Sequence, residues 1–73
     1  MAHLLSEQKE KGTFRIKNIL GAETTRLMEM GILPGMNLEI VRRPPLGYPV
    51  EIKVNGTLLT LREQEANSIE IEG

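Results

Sequence analysis

Few side chains in this sequence could bind a metal or move a proton. His3 is the single histidine and there is no cysteine. One imidazole makes neither a catalytic triad nor a tight transition-metal site, so we expect no catalytic residue and a solvated His3. The pairs Glu63/Glu65 and Glu70/Glu72 alternate along turn or extended segments, which is typical of a solvated face. Glu70 and Glu72 could still hold a hard divalent cation weakly through oxygen.

Three methionines, Met28, Met30 and Met36, are the remaining candidates for soft-metal ligands. Their thioether sulfurs suit cuprous ion, but methionine more often fills hydrophobic cores. Met30 shares a predicted helix face with Leu27, three residues earlier, whereas Met28 falls off that face. We therefore expect Met28 to be partly exposed, where it could contact a partner.

A proline-containing loop and a hairpin carry the side chains that best suit contact with another protein. Arginine and tyrosine are enriched at binding hot spots, and Pro44-Pro45 should stiffen the loop. Two interpretations stay open, because Leu46 and Tyr48 either contact a partner or fold back onto the domain. The predicted contact residues are Arg42, Arg43, Leu46, Tyr48, Met28 and Leu58.

Length and charge limit the function classes. The chain has 73 residues, which predicts one domain, and its formal net charge is -1, with 9 basic and 10 acidic side chains. Binding to phosphate backbones favours a basic excess, so nucleic acid is not the expected partner. No apolar run approaches the roughly 18 residues of a membrane span. The N-terminal residues lack the features of a signal peptide. We expect a cytoplasmic protein without membrane insertion, which the absence of cysteine fits.

Residues 26–40 organise the chain. A short helix is predicted over residues 22–30 and should end at Gly31, since glycine readily adopts the left-handed conformation that follows many helices. Pro34-Gly35 predicts a type II turn. Apolar residues then alternate over residues 36–43, which predicts a strand.

A β-hairpin is predicted around Asn55-Gly56, because a type I′ turn needs positive φ at both central residues. A two-residue turn also determines the register of the two strands. The predicted cross-strand pairs are Val54–Thr57, Ile52–Leu59 and Val50–Leu61. The opposite face is predicted to carry Glu51, Lys53, Leu58 and Thr60.

Two further strands are predicted at residues 13–19 and 68–72. The apolar period slips in the first of these, which predicts a bulge near Asn18. Residues 62–66 are polar and predict one helical turn with Ala66 inward. The sum is a mainly β fold of about five strands with one or two short helices, and curling the sheet into a small barrel would bury its apolar face.

The domain is predicted to span residues 12–73. Residues 1–11 have two interpretations. Ser6 could cap a short helix that ends at Gly12, or the segment is a frayed tail with Leu4 and Leu5 against the core.

The chain resembles the FeoA family, the small cytosolic companions of the bacterial ferrous iron transporter FeoB. The matching run is RLMEMGILPG at residues 26–35, followed by an alternating strand. The order of the later segments is also similar, and the resemblance covers Gly12 to the end. It implies a small SH3-like β-barrel, the module found at the C-terminal end of DtxR-type iron-dependent repressors.

The resemblance also implies a function. It suggests a non-enzymatic adaptor that regulates ferrous iron uptake by contacting a FeoB-type transporter on its cytosolic side, with no cofactor. Most of the matching residues are turn and core positions, so they carry over a fold rather than an activity. Self-association into a homo-oligomer is compatible with this function.

Three other functions are open. One is a metal-responsive accessory domain related to the DtxR-type module, which would need a DNA-binding partner chain. Another is a small nucleic-acid-binding barrel, which would need a basic surface with stacking rings, whereas Phe14 and Tyr48 are the only aromatics among Phe, Tyr and Trp. The third is stimulation of FeoB's GTPase, with Arg42 or Arg43 as an arginine finger.

Overall fold

The computed structural model describes residues 2–73 as a mainly β chain. Its helices are α1 (Thr24–Glu29) and α2 (Glu63–Ala66), and a single 3-10 turn spans Leu5–Glu7. Neither α-helix in the described residues has the length and apolarity that crossing a membrane requires. The strands are β1 (Ala2–Leu4), β2 (Gly12–Ile19), β3 (Asn37–Arg42), β4 (Val50–Val54), β5 (Thr57–Leu61) and β6 (Ile69–Glu72).

All six strands join one antiparallel sheet in the order β1-β6-β2-β3-β4-β5. Within residues 2–73 this order leaves β1 and β5 as edges. The mainly β prediction is therefore confirmed, with one strand more than the five expected. Closure of the sheet into a ring is not confirmed by these strand pairs.

The N-terminal segment forms structure that neither interpretation predicted in full. Residues 2–4 add strand β1 to β6, with His3 opposite Ile71, and Met1 lies outside the described residues. Ser6 does not cap a helix; instead a Glu7 carboxylate oxygen accepts the Leu4 N–H at 2.8 Å. Leu5 is fully buried, as the tail interpretation expected. Pairing to a strand more than 60 residues away has no local signal, so the sequence alone does not predict β1.

The hairpin prediction is confirmed in every pair. Val54 lies opposite Thr57, and Ile52 lies opposite Leu59. Asn55 and Gly56 have φ of 51° and 80°, as a type I′ turn requires. Val50, Ile52, Val54 and Leu61 are buried, and Leu59 is half-buried against the core.

The helix-to-strand connection also follows the prediction. Helix α1 is shorter than expected, and Gly31 follows its end with φ of 91°. Gly35 has φ of 92° and the Met36 N–H donates to the Leu33 carbonyl at 3.2 Å, as in a type II turn. Leu27 is fully buried, and Met30 packs against the core.

The core lies on one face of the sheet and includes Leu27 of α1 and Leu5 of the N-terminal segment. The bulge predicted in β2 is present, because the register against β6 shifts between Ile16 and Asn18. Ala66 points inward from α2, as expected. The buried apolar residues are Leu5, Ile16, Ile19, Leu27, Ile32, Leu38, Ile40, Val50, Ile52, Val54, Leu61, Ala66, Ile69 and Ile71.

Candidate partner-binding surface

The loop between β3 and β4 is held in place by Arg43. The Arg43 guanidinium donates to the Gln8 carbonyl at 2.6 Å and to the Leu5 carbonyl at 3.3 Å, both in the N-terminal segment. It also reaches the carbonyl of Gly47 in its own loop at 3.5 Å. Arginine suits this role because its planar fork offers several donors at once. Arg43 therefore links two segments that the sheet does not pair.

Tyr48 shares this arrangement. The Arg43 guanidinium lies over the Tyr48 ring, 5.6 Å from its centroid, within the range of a cation–π contact. Tyr48 is half-buried and packs against the core. The Tyr48 ring thus folds back onto the domain and presents only part of its surface.

Leu46 takes the opposite position. Its side chain is 94% exposed, the highest value among the exposed large apolar residues that the structure describes. The Gly47 N–H donates to the Pro44 carbonyl at 2.8 Å, which closes a turn around Pro45 and Leu46. The turn therefore holds the Leu46 side chain away from the core, in contact with solvent.

Arg42 lies on the outer face of the sheet beside this loop. One of its guanidinium nitrogens is 3.4 Å from a Glu51 carboxylate oxygen, and the Arg42 side chain is largely exposed. Strand register places Arg42 opposite Glu51, and Glu51 opposite Thr60. The Arg42 guanidinium is therefore exposed to solvent. The Arg43 guanidinium instead donates to backbone carbonyls of the loop and the N-terminal segment.

The two remaining predicted contact residues lie on other elements. Met28 is on α1 and is 44% exposed, as its position off the Leu27 face predicted. Leu58 is on β5, opposite Lys53, and is 55% exposed on the outer face of the sheet. The structure thus gathers Arg42, Arg43, Leu46 and Tyr48 at one loop and leaves Met28 and Leu58 on separate elements.

His3 is not the solvated residue that the sequence predicted. Its Nε2 is 2.7 Å from the Gln8 Oε1, and its ring meets Phe14 edge-on with centroids 6.3 Å apart. Its place opposite Ile71 puts it on the inner face, whereas Glu70 and Glu72 alternate to the outer face. The pairing of β1 to β6, which the sequence did not reveal, is what half-buries His3.

Glu65 is the second correction, because it is buried rather than part of a solvated face. Its Oε1 accepts the Arg62 N–H at 2.8 Å, at the start of α2. Its Oε2 lies 3.1 Å from the Arg26 Nε of α1 but makes no aligned hydrogen bond within the described residues. The one sequence signal was a glutamate three residues after Arg62, a position from which carboxylates often cap a helix.

Within residues 2–73 the structure has no enclosed pocket and no group of three His, Asp or Glu side chains arranged to hold a metal ion. The features that stand out are therefore on the surface. They are the displayed Leu46, the charge of Arg42 and the open edge of β5.

Comparisons with known proteins agree on one family. The sequence model of the FeoA domain matches residues 3–73. An iron uptake regulatory protein (FeoA) of known crystal structure is 26% identical, with a TM-score of 0.84 over 99% of this chain and 96% of that one. A FeoA-like protein from Clostridium acetobutylicum is 29% identical, with a TM-score of 0.89 over 97% of this chain and 85% of that one.

A third similar structure is the manganese-activated repressor ScaR. It is 22% identical, with a TM-score of 0.85, and the match covers 94% of this chain but 34% of the repressor. At that identity the likeness concerns the fold, which is shared with a part of a longer protein. The family match spans nearly all of the sequence, and we conclude that this chain belongs to the FeoA family.

Proposed function

We propose that this protein is a non-enzymatic regulator of ferrous iron uptake that acts in the cytoplasm by binding the cytosolic side of a FeoB-type transporter. Membership of the FeoA family supports a role in iron uptake, and one similar protein is described as an iron uptake regulatory protein. The domain serves as a small adaptor, and its partner is a protein.

The observation that carries the proposed contact is the exposure of Leu46. The Leu46 side chain stands in solvent at 94% exposure, while neighbouring Arg43 is anchored to the carbonyls of Leu5 and Gln8. A loop that is already ordered loses little conformational entropy on docking, so more of the contact energy appears as affinity. Burying one leucine side chain stabilises a complex by about 1.5–3 kcal/mol.

The four residues at this loop, Arg42, Arg43, Leu46 and Tyr48, have different roles in the proposed contact. Leu46 inserts into the partner, and Arg42 attracts it, because exposed charges at the rim of an interface chiefly change the association rate. Arg43 and Tyr48 contribute by holding the loop, since their side chains are engaged with each other and with the N-terminal segment. Met28 and Leu58 are secondary contacts on the same partner.

The test is binding to the isolated cytosolic region of a FeoB-type transporter, measured by calorimetry beside a melting curve for each variant. Leu46→Ala should weaken the complex by about 1–2 kcal/mol without changing the melting temperature. Arg42→Glu should slow association, with a larger effect at low salt. Leu20→Ala is the matched control, because Leu20 is a partly exposed leucine outside the loop.

The outcomes separate the candidate surfaces. Unchanged affinity for Leu46→Ala, with intact folding, contradicts the loop contact. Loss of affinity in Met28→Ala alone would instead place the contact on α1. No binding by the unaltered protein, at concentrations where it is folded, would contradict the proposed partner itself.

A further inference from the structure

Strand β5 is an unprotected edge. Its sole strand partner in the described residues is β4, and its sequence, Thr-Leu-Leu-Thr-Leu, contains neither charge nor proline. Proteins normally blunt such edges with lysine, proline, a bulge or a very short strand. The other edge, β1, has three residues, whereas β5 has five and no bulge against β4.

The hairpin geometry determines which backbone groups of β5 face the open edge. In a hairpin with a two-residue turn, the pair that flanks the turn, Val54 and Thr57, exchanges hydrogen bonds, and such pairs then alternate along the ladder. The N–H and C=O groups of Leu58 and Thr60 therefore point away from β4. Within residues 2–73 they make no other backbone hydrogen bond.

We propose that β5 pairs antiparallel with β5 of a second copy of this chain, with the twofold axis at Leu59. This register places Leu58 opposite Thr60 of the second copy. By symmetry it also places Thr60 opposite Leu58 of the second copy. Both residues have outward-facing backbone groups, so the two pairs use all the N–H and C=O groups at the edge. Shifting one strand by two residues in one direction would pair Leu58 with Leu58 and place Thr60 opposite Gly56 in the turn. Shifting it in the other direction would pair Thr60 with Thr60 and place Leu58 opposite Arg62.

Charge on the neighbouring strands is compatible with this register but does not select it. Lys53 lies opposite Leu58, and Glu51 lies opposite Thr60 on the same outer face. In the proposed dimer, Lys53 of one copy shares a row with Glu51 of the other, but two strands lie between them, so about 14 Å separates their backbones and salt screens most of the attraction. The register therefore depends on the backbone groups of Leu58 and Thr60.

Apolar burial favours a second copy as the occupant. Leu59 is half-buried at the edge of the core. On the twofold axis the two Leu59 residues form a non-hydrogen-bonded pair, in which Cα atoms approach to about 4.5 Å, so each side chain covers the other. The contact is confined to one strand, so we expect a weak dimer that forms at high protein concentration.

Sedimentation velocity over about a hundredfold range of concentration tests self-association. Two double variants place like charges opposite each other in the dimer: Leu58→Lys with Thr60→Lys, and Leu58→Glu with Thr60→Glu. Each should raise the dimer dissociation constant by about tenfold or more, and an equimolar mixture of the two should restore association. Thr13→Lys with Asn37→Lys adds the same charge to exposed positions of central strands and should associate like the unaltered chain.

Disulfide trapping tests the register directly, because the chain contains no cysteine. Leu59→Cys should form a covalent dimer under mild oxidation, since the two sulfurs would meet across the twofold axis. Thr57→Cys is the matched control, because Thr57 would face Leu61 of the second copy and should cross-link far less. Equal cross-linking of both variants contradicts the register. A monomer at every concentration overturns the proposal and would leave the edge to a strand of another protein.

Discussion

Three arginines of this chain occupy three environments, and their roles follow from what each guanidinium contacts. Arg42 pairs with a half-exposed carboxylate on the sheet, Arg26 pairs with a buried one, and Arg43 binds backbone carbonyls. The sequence alone does not distinguish these three positive charges. Their surroundings make them differ in what they contribute to stability.

The first prediction compares Arg26→Ala with Arg42→Ala. Both side chains are 64% exposed, but the partner Glu65 side chain is 5% exposed and the partner Glu51 side chain 30%. Removing Arg26 leaves a buried carboxylate without its compensating charge, so the free energy of unfolding should fall by about 1–2 kcal/mol. Removing Arg42 should cost about 0.5 kcal/mol or less. Equal losses in urea denaturation would contradict the difference in burial.

The second prediction compares Arg43→Lys with Arg42→Lys, the same substitution at adjacent positions. Arg43→Lys should lower the free energy of unfolding by about 1–2 kcal/mol, because an ammonium group cannot reach the carbonyls of Leu5, Gln8 and Gly47 together. Arg42→Lys keeps a single surface ion pair and should have almost no effect. Chemical denaturation of both variants is the measurement, and similar stabilities would show that Arg43 does not link the segments.

At the scale of elements, the N-terminal segment is part of the domain and not a tail. Leu5 is fully buried, while Leu4, its neighbour, is half-buried. Strand β1 extends the sheet through β6, and Arg43 joins this segment to the β3–β4 loop. The β2–β3 connection and the hairpin, in contrast, are built from local turn signals.

The third prediction measures this contribution of the N-terminal segment. Leu5→Ala should lower the free energy of unfolding by about 2–4 kcal/mol, since it opens a cavity in a small core. Leu4→Ala removes the same atoms from a half-exposed position and should cost about 1 kcal/mol or less. Thermal unfolding of the two variants measures whether Leu5→Ala is the more destabilising. If both melt like the unaltered protein, then the segment does not contribute to the core.

At the scale of the whole molecule, the sheet decides whether the candidate metal ligands can converge on one ion. Every described strand belongs to the same sheet, and the residues that could bind metal are spread over its two faces. His3 lies inward beside Phe14, and Glu70 and Glu72 alternate outward. Their separation makes a shared tight site for one ion unfavourable.

The fourth prediction is therefore a titration of the whole protein with ferrous and with zinc ions. Calorimetry should show weak binding at most, because oxygen donors of two glutamates do not complete a transition-metal site. His3→Ala should leave that weak signal unchanged, since the ring is on the other face. Affinity in the sub-micromolar range for either ion would contradict this prediction.

Much of the fold was predictable because its signals are local. The hairpin register followed from Asn55-Gly56 and the alternation on both sides, and every predicted pair is present. The bulge in β2 was visible as a slip in the apolar period. The candidate loop was also recognisable from its prolines, arginines and apolar residues, and the exposure of Met28 followed from helix periodicity.

The parts that the sequence did not reveal depend on contacts between distant residues. Arg43 donates to carbonyls 35 and 38 residues away, and Arg26 meets Glu65 across two helices. Strand β1 pairs with the other end of the chain. Periodicity indicates which faces are buried, and turn residues indicate local reversals. These two signals determined strands β2 to β6, the hairpin and the end of the helix. A guanidinium's acceptors are chosen by whichever carbonyls converge after folding, and only the tertiary structure decided that Arg43 holds the loop from which Leu46 projects.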